Sequence, residues 1–184
     1  MPKLPTNFVD PITDYPPSGE VEMSGLLGLF HQLNGVDWSR VSLLSPDNRL
    51  TGRMANDLLG NSVMCGEYQL FYNSESEMNV WGSMPADLIC LSQDRQTVVL
   101  IENKIGSGFT GTPNDPLTGQ LARQADFLLH CQIPRAFLVL LSTTELFDKG
   151  WYRNQLLDTL RIGGRSPKVT GYLMRWEDVL SAIR

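Results

Sequence analysis

Histidine is almost missing from this chain: its 184 residues hold two, His31 and His130. That excludes a zinc or iron centre built on several imidazoles, and any metal bound here would be held by oxygen ligands, which favours Mg²⁺ or Mn²⁺. Cysteine is nearly as scarce. Cys65, Cys90 and Cys131 are odd in number and widely spaced, so they form neither a zinc pattern nor a disulfide framework. Cys90 lies inside an apolar run and reads as a small core residue. No apolar run reaches the roughly 18–20 residues of a membrane helix, and Met1–Pro5 lacks the apolar segment of a signal peptide. A cytoplasmic protein with no membrane partner is expected. Positive charge is the minority sign, 15 Lys and Arg against 20 Asp and Glu, for a net −5. This weakens diffuse attraction to a polyanion. Contact with nucleic acid would rest on a local basic cluster around Lys104 and Arg123, or on a second subunit.

What is present suits a folded domain. Hydrophobic residues make up 42% and charged residues 19%, and the length allows one core. Prolines 2, 5, 11, 16 and 17 mark residues 1–19 as an extended N-terminal arm, leaving 20–184 as a single domain. Ser18-Gly19 opens a helix with Val21, Leu26, Leu27, Leu29, Phe30 and Leu33 on its apolar side, and Asn34-Gly35 closes it. Residues 36–48 read as a loop and Leu50 to Leu59 as a second helix. Val63 to Tyr72 reads as a strand, with Gly66 a candidate bulge, and 73–79 as a turn.

Two apolar runs follow, Leu88-Ile89-Cys90-Leu91 with Asp87 at its start and Val98-Val99-Leu100-Ile101 with Glu102 at its end. They predict a hairpin turning near Ser92–Arg95. Period-2 alternation puts Glu102 and Lys104 on one face of the second strand. A four-residue loop pairing Leu91 with Gln96 sets Asp87 opposite Leu100, diagonal to Glu102 and on its face. A five-residue loop turns Asp87 to the other face. Residues 106–119 form a long Gly-rich loop. Then come a helix from Gln120 to Cys131, with Arg123 and Gln124 assigned to the surface, and a central parallel strand over Ala136–Leu141. The chain closes with a helix over 149–161, a strand over Val169–Met174, and a terminal helix with Trp176, Val179, Leu180 and Ile183 facing inward. Trp81 and Trp176 read as packing residues. This order predicts an α/β class with a mixed sheet flanked by helices on both faces.

Two carboxylates and an amine at the end of apolar strands have no structural purpose of their own. They suit a divalent cation held against a phosphate. In these words, Pro85-Ala86-Asp87, Ile101-Glu102-Asn103-Lys104-Ile105 and Gly119-Gln120-Leu121, the chain resembles the PD-(D/E)XK nuclease superfamily, in a branch with an Ile-Glu-Asn-Lys-Ile strand. Glu20 through Leu27 is similar to that branch's first helix, where a Glu precedes a Ser by four positions, here Glu20 and Ser24. Trp176-Glu177-Asp178-Val179-Leu180 is similar to its terminal helix. The sequence departs from the pattern in the alanine between Pro85 and Asp87 and in the length of the 106–119 loop.

The resemblance implies a restriction-endonuclease-like fold and a metal-dependent nuclease acting on nucleic acid, DNA in preference to RNA. It implies Asp87, Glu102, Glu20 and the Asn103 carbonyl around Mg²⁺ or Mn²⁺, with Lys104 and Gln120 as further catalytic residues. A homodimer is expected, since so small a domain needs a second copy to span a duplex. Two other readings compete: a nuclease-fold module that binds or assembles without catalysis, and a phosphodiesterase acting on a small nucleotide signal.

Overall fold

The computed structural model describes residues 20–70, 84–106, 119–131, 133–162, 165 and 167–184, without the side chains of 20–22, 67–70, 84 and 85. The proposed arm, the 73–79 turn, Trp81 and most of the 106–119 loop lie outside these residues.

One seven-stranded sheet organises the chain. Its strands are β1 (Ser42–Leu44), β2 (Leu50–Met54), β3 (Ser62–Leu70), β4 (Met84–Ser92), β5 (Thr97–Lys104), β6 (Arg135–Ser142) and β7 (Val169–Arg175), in the order β2-β1-β7-β6-β5-β4-β3. The centre is parallel, β5 with β6 and β6 with β7. Both flanks are antiparallel. The sheet is therefore mixed, as the pattern of runs predicts.

Side-chain alternation divides the core in two. Leu88, Cys90, Val99, Ile101, Val139, Leu141 and Met174 point to one face. There they meet α1 (Glu20–Gln32), α2 (Asn56–Leu59) and α6 (Trp176–Ser181). Val98, Leu100, Leu138, Leu140 and Leu173 point to the other, under α3 (Gln120–His130), α4 (Thr144–Asp148) and α5 (Trp151–Arg161). All eight residues of β5 are buried. A strand covered on both faces is apolar throughout, and this one stays apolar until Glu102.

Several expectations are corrected. The stretch 36–48 holds a 3₁₀ turn at Trp38–Arg40 and all of β1. Leu50–Leu59 is not one helix. Gly52 has φ +74° and Thr51 Oγ1 donates to the Leu43 carbonyl at 2.6 Å, so the chain runs extended before α2. Gly66 makes no bulge, because the β3–β4 pairing keeps one register through it. The helix over 149–161 begins only at Trp151, since Gly150 takes φ +81° between α4 and α5. In α6, Trp176 and Val179 are buried but Leu180 is 53% exposed. Cys90 is fully buried, as expected of a core thiol.

At the far edge, β3 is closed by α1. Gln32 Nε2 donates to the Met64 carbonyl at 3.2 Å, and His31 Nε2 lies 2.8 Å from the Ser62 carbonyl. His31 Nδ1 accepts from Trp38 Nε1 at 2.9 Å, so Nε2 carries the proton and donates. Occupied carbonyls make this edge a poor template for another strand.

Candidate metal centre

The hairpin between β4 and β5 sets the register of the site. Its four-residue loop is Gln93–Gln96. Ser92 Oγ accepts from the Thr97 N–H at 2.9 Å and donates to Asp94 Oδ1 at 2.5 Å, and Arg95 sits at φ +58°. The pairing Leu91 with Val98 and Leu88 with Ile101 follows. It stops one residue short of Asp87 and Glu102. The pairing is one residue along each strand from the expected one. Its parity is unchanged, but the alternation of β4 breaks at Asp87: Leu88 and Cys90 pack on the α1 side, whereas Ala86 packs on the α3 side.

The ladder from β4 to β5 ends at Leu88–Ile101. Just past it, the Asn103 N–H donates to Asp87 Oδ2 at 2.7 Å. A side-chain carboxylate takes a donor that regular pairing would give to a backbone carbonyl. This pins the half-buried Asp87 beside the end of β5.

Glu102 is fully buried on the α3 side of the sheet. Its Oε2 accepts from Gln124 Nε2 at 2.5 Å. Its Oε1 lies 2.7 Å from the Lys104 ammonium. That contact is a buried, charge-assisted ion pair in which the lysine faces Oε1. Lys104 is itself 4% exposed, held to Glu102 by the i, i+2 spacing of a strand. Burial, with the nearby Asp87 charge next in size, pushes the Glu102 carboxyl up to about 7, against the pull of Lys104 and Gln124. A buried carboxylate under such strain is stabilised by a cation.

Asn103 points the other way. On the α1–α6 face, its Nδ2 donates to Ser24 Oγ at 3.1 Å and its Oδ1 accepts from Trp176 Nε1 at 2.8 Å. Trp176 is thus a buried packing residue with one polar contact. Ser24 lies one turn after Glu20, so α1 begins near the end of β5. The Glu20 side chain lies outside the described residues. Gln120 is the first residue of α3 and is 6% exposed, one turn before Gln124 and on the same side of the helix.

The surface assignment of Gln124 is corrected. It is fully buried and touches Glu102, and its own Oε1 is a buried acceptor with no donor among the described residues. The pattern carried a signal for it: position 124 falls on the stripe of Leu121, Ala125 and Leu128. Arg123 is half-buried, with its Nε enclosed and without a hydrogen-bond partner among the described residues.

The donor set fits a hard cation. Asp87 and Glu102 offer oxygen only, one Glu102 oxygen faces the Lys104 ammonium, and the carboxyl's proton affinity is high. Among the described residues no third His, Cys, Asp or Glu joins them. No helix of the described residues is long and apolar enough to cross a membrane. No family model matches the chain, and no curated protein or solved structure matches it either.

Proposed function

We propose that the protein is a metal-dependent nuclease of PD-(D/E)XK type, with a restriction-endonuclease-like core, hydrolysing phosphodiester bonds of nucleic acid and preferring DNA. One observation carries the reading. Asp87 is held by the Asn103 N–H where β4 leaves β5, its charge acts on the Glu102 carboxyl, and the Lys104 ammonium lies 2.7 Å from Glu102. Structure alone gives no reason to bury an acid and a lysine beside a second, half-buried acid. Removing charges from water is costly, and an apolar set of equal volume would be at least as stable.

Asp87 and Glu102 would hold Mg²⁺ or Mn²⁺, with the Asn103 carbonyl and Glu20 as further ligands. Bound there, the ion supplies a Lewis acid and a water of lowered pKa. The chain's own residues do the positioning. Gln124 fixes Glu102 through Oε2 and leaves Oε1 to face the lysine. Lys104, protonated, donates to a phosphate oxygen and offsets the charge that grows on it as water adds to phosphorus. The bond from phosphorus to the leaving sugar oxygen breaks, giving a phosphomonoester and an alcohol. Gln120, at the opening turn of α3, orients the water or the phosphate backbone.

The test is cleavage of DNA and RNA in Mg²⁺ or Mn²⁺ by the wild type, Asp87→Ala and Lys104→Ala. Metal-dependent cleavage by the wild type, lost by a factor of about 10² or more in both variants, supports the reading. Equal activity in all three overturns it.

A further inference from the structure

Asn103 sits between the two proposed catalytic residues of β5, yet its side chain is on the opposite face from theirs. All three partners in its amide network are buried: Asn103 is 0%, Ser24 1% and Trp176 5% exposed. Both amide atoms are used, Nδ2 toward α1 and Oδ1 toward α6. Its backbone N–H holds Asp87 Oδ2. A single residue thus joins four elements, β4, β5, α1 and α6, at the point where the sheet meets the site.

We infer that Asn103 is the positioning residue of the centre. Its amide ties the first turn of α1 and the start of α6 to the end of β5. That fixes the peptide whose N–H aims Asp87 at Glu102. The carbonyl role given to Asn103 above is separate from this one, and the side chain contributes nothing to the cation directly. The physical basis is satisfaction of buried polar groups. A buried primary amide with both ends bonded has one low-energy orientation, and losing either partner removes a bond that holds it there. The rearrangement is transmitted to the backbone N–H one peptide away from Glu102 and hence to Asp87.

The role rests on the nuclease reading only for its metal-binding consequence, and two readouts keep the two apart. The variants are Trp176→Phe, which keeps an aromatic ring and removes Nε1–H, and Ser24→Ala, which removes Oγ. The control is Leu156→Ala, a fully buried residue of α5 on the other face. The first readout is amide hydrogen exchange at Asn103 in metal-free protein. The second is Mn²⁺ affinity by calorimetry.

Exchange at Asn103 is expected to quicken by about tenfold or more beyond the control in both variants, and the Mn²⁺ Kd to weaken by about tenfold, while Leu156→Ala keeps the wild-type Kd. Exchange no faster than in the control overturns the positioning role. So does faster exchange with a wild-type Kd, because Asp87 would then be aimed without the network. If the wild type binds no Mn²⁺ and exchange still quickens, the metal reading falls and the tie of Asn103 to Asp87 stands.

Discussion

Glu102 shows how a single residue carries both a cost and a use. Its carboxyl is raised from 4.5 to about 7 in the fold, so the folded form binds the proton more tightly than the unfolded chain. Its contribution is full below about 4.5 and is lost as pH rises through about 7, an effect on the order of 3 kcal/mol. Denaturant unfolding of metal-free protein between pH 5 and 7 is expected to show this falling component, and Glu102→Gln is expected to lack it. The proton also competes with a cation for the same oxygens, so Mn²⁺ should raise the melting temperature more at pH 8 than at pH 6. Gln124→Leu removes the donor to Oε2. It is expected to weaken Mn²⁺ binding by about tenfold and to destabilise the chain by about 1–3 kcal/mol at pH 8, less at pH 5, as denaturant titration at the two pH values would show. Glu102 and Lys104 were legible as neighbours in the sequence because a strand's alternation assigns faces without any tertiary knowledge, whereas Asp87 lies past the last pair of its ladder. Gln124 was not legible, because its burial depends on where α3 lands on the sheet, though its place on the apolar stripe was a usable clue.

At the scale of elements, the hairpin decides whether the site exists. Its four-residue loop sets the pairing that ends at Leu88 and Ile101, next to Asp87 and Glu102, and Ser92 holds both Asp94 and the Thr97 N–H. Arg95 pays for this geometry with a left-handed backbone at φ +58°. Arg95→Gly is expected to stabilise the chain by about 0.5–1 kcal/mol, read from the denaturant midpoint, with the site unchanged. The central strands were readable because continuous apolar runs such as Val98–Ile101 and Ala136–Leu141 suit strands covered on both faces. The segment 36–59 was not. The strand β1 has three residues, too few to display a period. Leu50 is 77% exposed, so the apolar spacing that suggested a helix from Leu50 does not reflect burial. The helix expected over 149–161 ran through Gly150, whose left-handed φ ends α4 and opens α5.

At the scale of the whole molecule, the sheet delivers residues from distant parts of the chain to the end of β5. Asp87 comes along β4, Glu102 and Lys104 along β5, Gln124 on α3 from one face, and Ser24 and Trp176 on α1 and α6 from the other. Such convergence explains why the two faces need opposite chemistry at one point: carboxylates and an ammonium above, a closed amide network below. The layer order was foreseeable from the succession of apolar runs, whereas the network was not, because Ser24 and Trp176 are 79 and 73 residues from Asn103 in the chain. The central claim is that Asp87 and Glu102 share one divalent cation, and anomalous diffraction from crystals soaked in Mn²⁺ tests it most directly. The account predicts a peak about 2.1 Å from an oxygen of each carboxylate, absent in Asp87→Asn crystals. A Mn²⁺ peak elsewhere, or a peak at Glu102 that survives Asp87→Asn undiminished, would contradict it.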